Sequence, residues 1–148
     1  MYEITTESSF SAAHYLADYN GPCENLHGHN WLVKASVRCE GLNRIGIGVD
    51  FKVLRGALRG ICDELDHKEL NQALKAHGKN PSCENIARHV YERLRAALAG
   101  EDCRVHKVEV FETPGNSATY FEQVRLAETG NLAAKARRRE GIRVSTED

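Results

Sequence analysis

This chain has no apolar run approaching the roughly 20 residues that a membrane-spanning helix requires, and its start, Met1-Tyr2-Glu3-Ile4-Thr5, lacks the basic and apolar regions of a secretory signal. A cytoplasmic location is expected. It has no dominant charge either: 20 Lys+Arg stand against 21 Asp+Glu, a formal net charge of -1, which removes any overall electrostatic drive toward nucleic acid or an anionic membrane. The exception is a polar basic tail over residues 127–148, where Lys135, Arg137, Arg138, Arg139 and Arg143 gather, and it reads as a solvated end segment. No CxxC pair occurs, and the 5 cysteines, at positions 23, 39, 62, 83 and 103, are an odd number. That argues against both a zinc ribbon and a disulfide framework, so reduced thiols are expected, most of them serving as small buried hydrophobes. The glycine-rich stretch 41–48 lacks the spacing and the terminal Lys-Ser/Thr of a phosphate-binding P-loop.

What is present is a length of 148 residues, which suits one domain with a sizeable core, here residues 1–126. Residues 2–13 alternate and are rich in Thr, Ile, Tyr and Phe, the pattern of a strand. A turn cluster, Asp18-Tyr19-Asn20-Gly21-Pro22, separates it from a second strand over 29–39. Asp50 is a suitable N-cap for a helix on which Phe51, Val53, Leu54, Leu58, Ile61 and Leu65 recur at helical spacing. Ser82 caps a second helix, with Ile86, Val90, Leu94 and Leu98 as its stripe and Gly100 as its stop. A third strand over 105–112 places His106, Val108, Val110 and Glu112 on one side, and the turn 113–116 leads to a fourth strand over 118–126. The order ββααββ gives an α+β fold, a four-stranded antiparallel sheet with two helices on one face. The other face and the edge strands call for partners, so self-association is expected.

Chemistry concentrates near Cys23-Glu24-Asn25-Leu26-His27-Gly28-His29. Residues two apart on a strand share a face, so His27 and His29 can converge on one ion. If the first two strands pair antiparallel, His14 approaches them across the sheet. Three imidazoles are the ligand pattern of a catalytic zinc whose fourth position stays open. A cupin would also present HxH, but it wants a glutamate a few residues on, where Asn30-Trp31-Leu32-Val33-Lys34-Ala35 stands instead. A thiol beside such an ion, as Cys23 would be, can work as base or nucleophile. Asp66-His67 becomes a proton relay only if linked to Cys23, with the carboxylate orienting the imidazole. Glu112, buried at a subunit boundary, would accept two hydrogen bonds from an amidine-like heterocycle edge. His77, His89 and His106 have no companions in sequence and read as structural or surface residues.

Taken together, Phe10-x-Ala12-Ala13-His14, Cys23-x-x-x-His27-Gly28-His29, Val49-Asp50-Phe51, Leu65-Asp66-His67, Asn80-Pro81-Ser82-Cys83-Glu84-Asn85 and Val110-Phe111-Glu112-Thr113 resemble, in order, the pattern of the 6-pyruvoyl- and 6-carboxy-tetrahydropterin synthase family. The resemblance spans about residues 1–125. It implies the tunnelling fold, in which subunits join their sheets into an oligomeric barrel, commonly trimers stacked into a homohexamer. It implies Zn2+ on His14, His27 and His29, and a catalytic group of Cys23, Asp66 and His67, the last two supplied by a neighbouring subunit. It further implies Glu112 as anchor of the pterin ring, with Ser82 and Cys83 at positions that help hold it. Cys83 departs from the Ser or Thr usual there.

The three-residue spacing between Cys23 and His27 resembles the bacterial 6-carboxy branch of queuosine and 7-deazaguanine synthesis. That branch converts 7,8-dihydroneopterin triphosphate to 6-carboxytetrahydropterin with loss of acetaldehyde and triphosphate. Glu24 complicates the choice, because a related branch uses a glutamate three residues before HGH to cleave dihydroneopterin to 6-hydroxymethyl-dihydropterin for folate synthesis. This chain carries both residues, as a combined Cys-Glu subtype does. The 6-pyruvoyl activity is a further alternative. Two readings from other classes are a zinc-stabilised oligomerisation module, which would need the histidines but not Cys23, Asp66 or Glu112, and a cyclohydrolase acting on GTP.

Overall fold

Period-two alternation of apolar side chains builds the sheet of this protein. The computed structural model describes residues 1–75, 78 and 80–123. Strand β1 (Tyr2–His14) buries Phe10, Ala12 and His14 while Glu3, Thr5, Glu7 and Ser9 stay exposed. Strand β2 (His27–Cys39) buries Trp31, Val33, Ala35, Val37 and Cys39 on the same face. Strands β3 (Arg104–Thr113) and β4 (Asn116–Tyr120) complete an antiparallel sheet in the order β1-β2-β3-β4. The helices α1 (Phe51–Leu65) and α3 (Cys83–Ala97) lie on the buried face, α1 over β1 and α3 over β3 and β4, with the one-turn helix α2 (Leu70–Ala73) between them in sequence. Leu54, Leu58, Ile61 and Leu65 of α1 and Ile86, Val90 and Leu94 of α3 meet the sheet valines. Each such side chain contributes roughly 1.5–3 kcal/mol by leaving water.

The caps act as the residue types require. Asp50 Oδ1 accepts from Lys52 N at 2.7 Å and Ser82 Oγ from Asn85 N at 3.4 Å, each satisfying a backbone donor that the first helical turn leaves open. Three sequence expectations are corrected. Phe51 and Val53 are not core: they are 56% and 40% exposed. Phe51 is the first helical residue, beside the 46–50 loop, and Val53 is rotated about 100° off the Leu54 stripe. Second, His106 does not share the face of Val108 and Val110. A register shift between Ser36 and Val37 turns Val105 inward and leaves His106 beside Glu3, with Nε2 3.8 Å from Oε2, on the helix-free face. Third, β4 begins at Asn116 and ends at Tyr120, so the expected continuation to 126 does not occur over 121–123. Residues 124–126, the basic tail and His77 lie outside the described residues.

The helix-free face is polar throughout its centre. Thr5 and Ser36 hydroxyls lie 2.8 Å apart, Arg38 donates to Glu3 at 3.2 Å, Lys107 reaches Glu3 at 3.1 Å, and Ser117 donates to Glu109 at 2.8 Å. Such a surface can stand in water, as one face of an antiparallel sheet commonly does. Among the described residues no helix is long and apolar enough to cross a membrane.

Candidate metal centre and active site

The β1–β2 register pairs His14 directly with His27 and Ala12 with His29, so all three imidazoles rise from the buried face at one end of the sheet. Their ligating atoms lie within 4.8 Å of one another, and this is the group of possible metal ligands found among the described residues. Trp31, fully buried two residues after His29, forms the floor. Its ring meets His14 and His29 edge-on at centroid distances of 5.0 and 5.2 Å, and its Nε1 is anchored on the Ala12 carbonyl at 3.2 Å.

The hydrogen bonds fix the tautomers. His14 Nδ1 lies 2.9 Å from the Pro81 carbonyl and His27 Nδ1 2.7 Å from the Asn25 carbonyl. A carbonyl only accepts, so both Nδ1 atoms carry the proton and both Nε2 atoms present a lone pair. Those two Nε2 atoms are 3.1 Å apart. His29 Nε2 is buried without a hydrogen-bond partner, since the nearest carboxylate oxygen, Oε1 of Glu112, is 3.6 Å away and too far to bond well. Converging lone pairs and an orphaned ring nitrogen are what a divalent cation satisfies, and carbonyls behind the ligand rings are the usual orienting shell. Burial is the main influence on His14, pushing its pKa below the ordinary value, so it stays neutral and ligating. The donor set fits zinc.

Around this cluster the chain is clamped by side chains that imitate a strand. Asn71 exchanges two hydrogen bonds with the Tyr15 backbone at 3.0 and 2.9 Å, and Asn80 does the same with Ala17 at 2.7 and 3.1 Å. Between them, Leu16 N donates to the Cys23 carbonyl at 2.8 Å, which ties the short 3-10 turn Pro22–Glu24 to a point two residues past His14. Cys23 is half-buried there, Glu24 is exposed, and the thiol is not one of the converging ligands.

Glu112 extends the inward face of β3 beyond Val108 and Val110, placing its carboxylate beside His29. Cys83, in the first turn of α3, donates its thiol to the Val110 carbonyl at 3.0 Å. Burial pushes that thiol up to about 11, so it is neutral and already bonded. Ser82 is spent in part on capping, its hydroxyl hydrogen still free to donate.

Asp66 and His67 pair tightly, Oδ2 to Nδ1 at 2.7 Å, but elsewhere. Asp66 Oδ1 accepts from Ser11 N at 2.7 Å and His67 N donates to the Ser11 carbonyl at 2.6 Å, so the dyad is seated on the outer edge of β1, which its own 66–69 segment covers at Ser11 and Ala13. The Ser11 amide, then the His67 side chain, hold the Asp66 carboxyl below the usual carboxylate range. His67 has a φ of 55, unusual for a residue with a side chain, and its ring is 83% exposed. Within one chain no hydrogen bond or ion pair among the described residues joins this dyad to Cys23. His89 is buried in α3 and His106 lies on the helix-free face, so neither enters the cluster. Sequence reasoning missed the Trp31 floor and the Asn71 clamp; the parity of Trp31 with His29 was the available signal for the first.

Comparison with known proteins agrees with this geometry. The chain is 35% identical over 127 residues to the 6-carboxy-5,6,7,8-tetrahydropterin synthase of Synechocystis, covering 82% of this chain and 94% of that one. It is 35% identical over 109 residues to the dihydroneopterin monophosphate aldolase of Pyrococcus furiosus, covering 74% and 88%. The solved structure of Caenorhabditis elegans 6-pyruvoyl tetrahydropterin synthase superposes with a TM-score of 0.70 at 30% identity, covering 83% of this chain and 98% of that one. The pattern of the family described as 6-pyruvoyl tetrahydropterin synthase matches residues 3–137, and with three histidines converging as they do, the chain belongs to that family.

Proposed function

We propose that this protein is a zinc-dependent 6-carboxy-5,6,7,8-tetrahydropterin synthase, acting on 7,8-dihydroneopterin triphosphate and releasing acetaldehyde and triphosphate. The observation that carries the reading is the meeting of the His14 and His27 lone pairs at 3.1 Å, beside the orphaned Nε2 of His29. These three nitrogens would hold the ion, which supplies Lewis-acid polarisation of the substrate's side-chain hydroxyls when bound. Glu112 accepts two hydrogen bonds from the aminopyrimidine edge of the pterin, a charge-assisted pairing that fixes the ring. Ser82 donates its remaining hydroxyl hydrogen. The Cys83 thiol is committed to Val110, so the contact at that position comes from backbone.

In this reading Cys23, whose backbone is tied to Leu16 two residues past His14, takes the carbon-bound proton of the substrate side chain. His67, oriented by Asp66, returns a proton. With its ring in solvent at the outer margin of the sheet, the dyad serves the site of a neighbouring subunit, in a homohexamer of two stacked trimers. A left-handed backbone at His67, held by its own N–H on the Ser11 carbonyl and by the Asp66 carboxylate on the Ser11 amide, is the kind of strain that marks a functional position.

A second reading is favoured by Glu24, exposed next to Cys23, and by the archaeal relative named as a dihydroneopterin monophosphate aldolase. In it the product is 6-hydroxymethyl-dihydropterin. Mass spectrometry of the products formed by zinc-loaded protein from dihydroneopterin and from its triphosphate, supplied separately, decides between them. Acetaldehyde with a carboxylated pterin is the expected result. A hydroxymethyl product assigns the second reading, and no turnover of either compound overturns both.

A further inference from the structure

The far end of β2 carries a second arrangement of reactive groups that the pterin chemistry does not use. Val37 pairs with Val105 and Arg38 with Arg104, where β3 begins, and continuing that register by one residue brings Cys103 alongside Cys39. Directly opposite residues of an antiparallel pair point to the same face, with Cα atoms about 4.5 or 5.5 Å apart depending on the rung. Both separations fall inside the roughly 4.4–6.8 Å that a disulfide spans. Cys39 is 1% exposed, while Cys103 is only partly buried and lines a surface groove with Arg38, Glu101 and Arg104. The Cys103 thiol lies close enough to Cys39 for the two groups to influence each other electrostatically. Both are free thiols in the structure.

We propose that Cys39 and Cys103 are a modification site, closing to a cross-strand disulfide when a hydroperoxide reaches the groove. The Cys103 thiolate attacks the peroxide; the O–O bond breaks, leaving Cys103 as a sulfenic acid and releasing the other oxygen as water or alcohol. Cys39, losing its proton, attacks the sulfenic sulfur, the S–O bond breaks, and the departing hydroxide takes up that proton as water. Two thiols are oxidised by two electrons and one peroxide is reduced. Burial, aided by the neighbouring sulfur and acidic groups, pushes the Cys103 thiol up to about 11. Little thiolate is therefore present at neutral pH, and closure is slow there, speeding up about tenfold per pH unit toward that value. The rung lies about 40 Å along β2 from His27, so closure leaves the metal site untouched.

The test uses the full chain, treated with hydrogen peroxide at pH 7, 8 and 9 and digested without reduction. The expected result is a dithiothreitol-sensitive species joining tryptic peptides 39–44 and 96–104, lighter than their sum by two hydrogens. It forms about tenfold faster for each pH unit and raises the Tm. In Cys103→Ser and Cys103→Ala the species and the Tm rise are absent. Cross-linking of either residue to a different cysteine or to a second chain overturns the proposal. So does accumulation of Cys103 as sulfinic acid with Cys39 untouched, or the absence of any linked peptide in the unsubstituted protein at pH 9.

Discussion

His14 and His27 are cross-strand partners whose Nε2 atoms face each other at 3.1 Å, each with its Nδ1 proton already given to a backbone carbonyl. Two lone pairs at that distance repel until something positive lies between them. Stripping the ion with a chelator should therefore lower the Tm, and adding back zinc should restore it. His27→Ala should lose zinc altogether, read by metal analysis against an intact far-UV spectrum.

Acid should act through His14. Burial holds His14 below its ordinary value of 6.5, so in this range the unfolded chain binds the proton more readily than the folded one. Stability of the metal-free protein should start to fall as pH drops below 6.5, and level off once the folded imidazole itself takes up a proton. A urea midpoint unchanged between pH 7 and pH 5 would sink this account.

Removing the proposed base is the cleanest test of catalysis. Cys23→Ala should reduce kcat by about 10²–10⁴-fold, the usual worth of a positioned acid or base. Zinc content should stay at one ion per chain, because the thiol is outside the converging ligand set. Full activity in this variant would assign the proton transfer to another group.

Glu112→Gln keeps the shape but removes the charge. A charge-assisted hydrogen bond is worth about 1.5–3 kcal/mol, so substrate affinity should weaken roughly 10–100-fold, with zinc retained. Ser82→Ala should have a smaller effect on binding and, through the lost cap, cost about 1 kcal/mol of stability in chemical denaturation.

The edge position of Asp66 and His67 predicts complementation. Cys23→Ala and Asp66→Asn chains should each be inactive alone, yet mixed oligomers should regain activity at about a quarter of sites if each centre draws on two subunits. Recovery of nothing would place both groups in one chain's site. The fold should also lean on Asp66: its carboxyl titrates lower when folded, so its contribution is present above 3.8 and fades as pH falls through the lower folded value.

The histidine triad was legible because it follows from parity and one antiparallel pairing. Residues 27 and 29 share a face on any strand, and His14 ends the strand that pairs with theirs. Both long helices were legible from their stripes and from Asp50 and Ser82 as caps. The rest needed tertiary partners. The irregularity at Ser36 and Val37 exists only where two strands meet, which is why His106 could not be assigned a face from alternation alone. Asn71 and Asn80 act as surrogate strand residues for Tyr15 and Ala17, 56 and 63 positions away in sequence, a relation no local pattern encodes. Phe51 follows the helical period and is still exposed, because periodicity gives the direction of a side chain but not whether anything lies there.

The groups that orient His14 and His27 are the main-chain oxygens of Pro81 and Asn25. Side-chain replacement at either position leaves those oxygens in place, so the ring tautomers are insulated from point substitution in a way that a carboxylate-supported site is not. Variation around this centre can thus reshape the reaction it performs without first dismantling its grip on the ion.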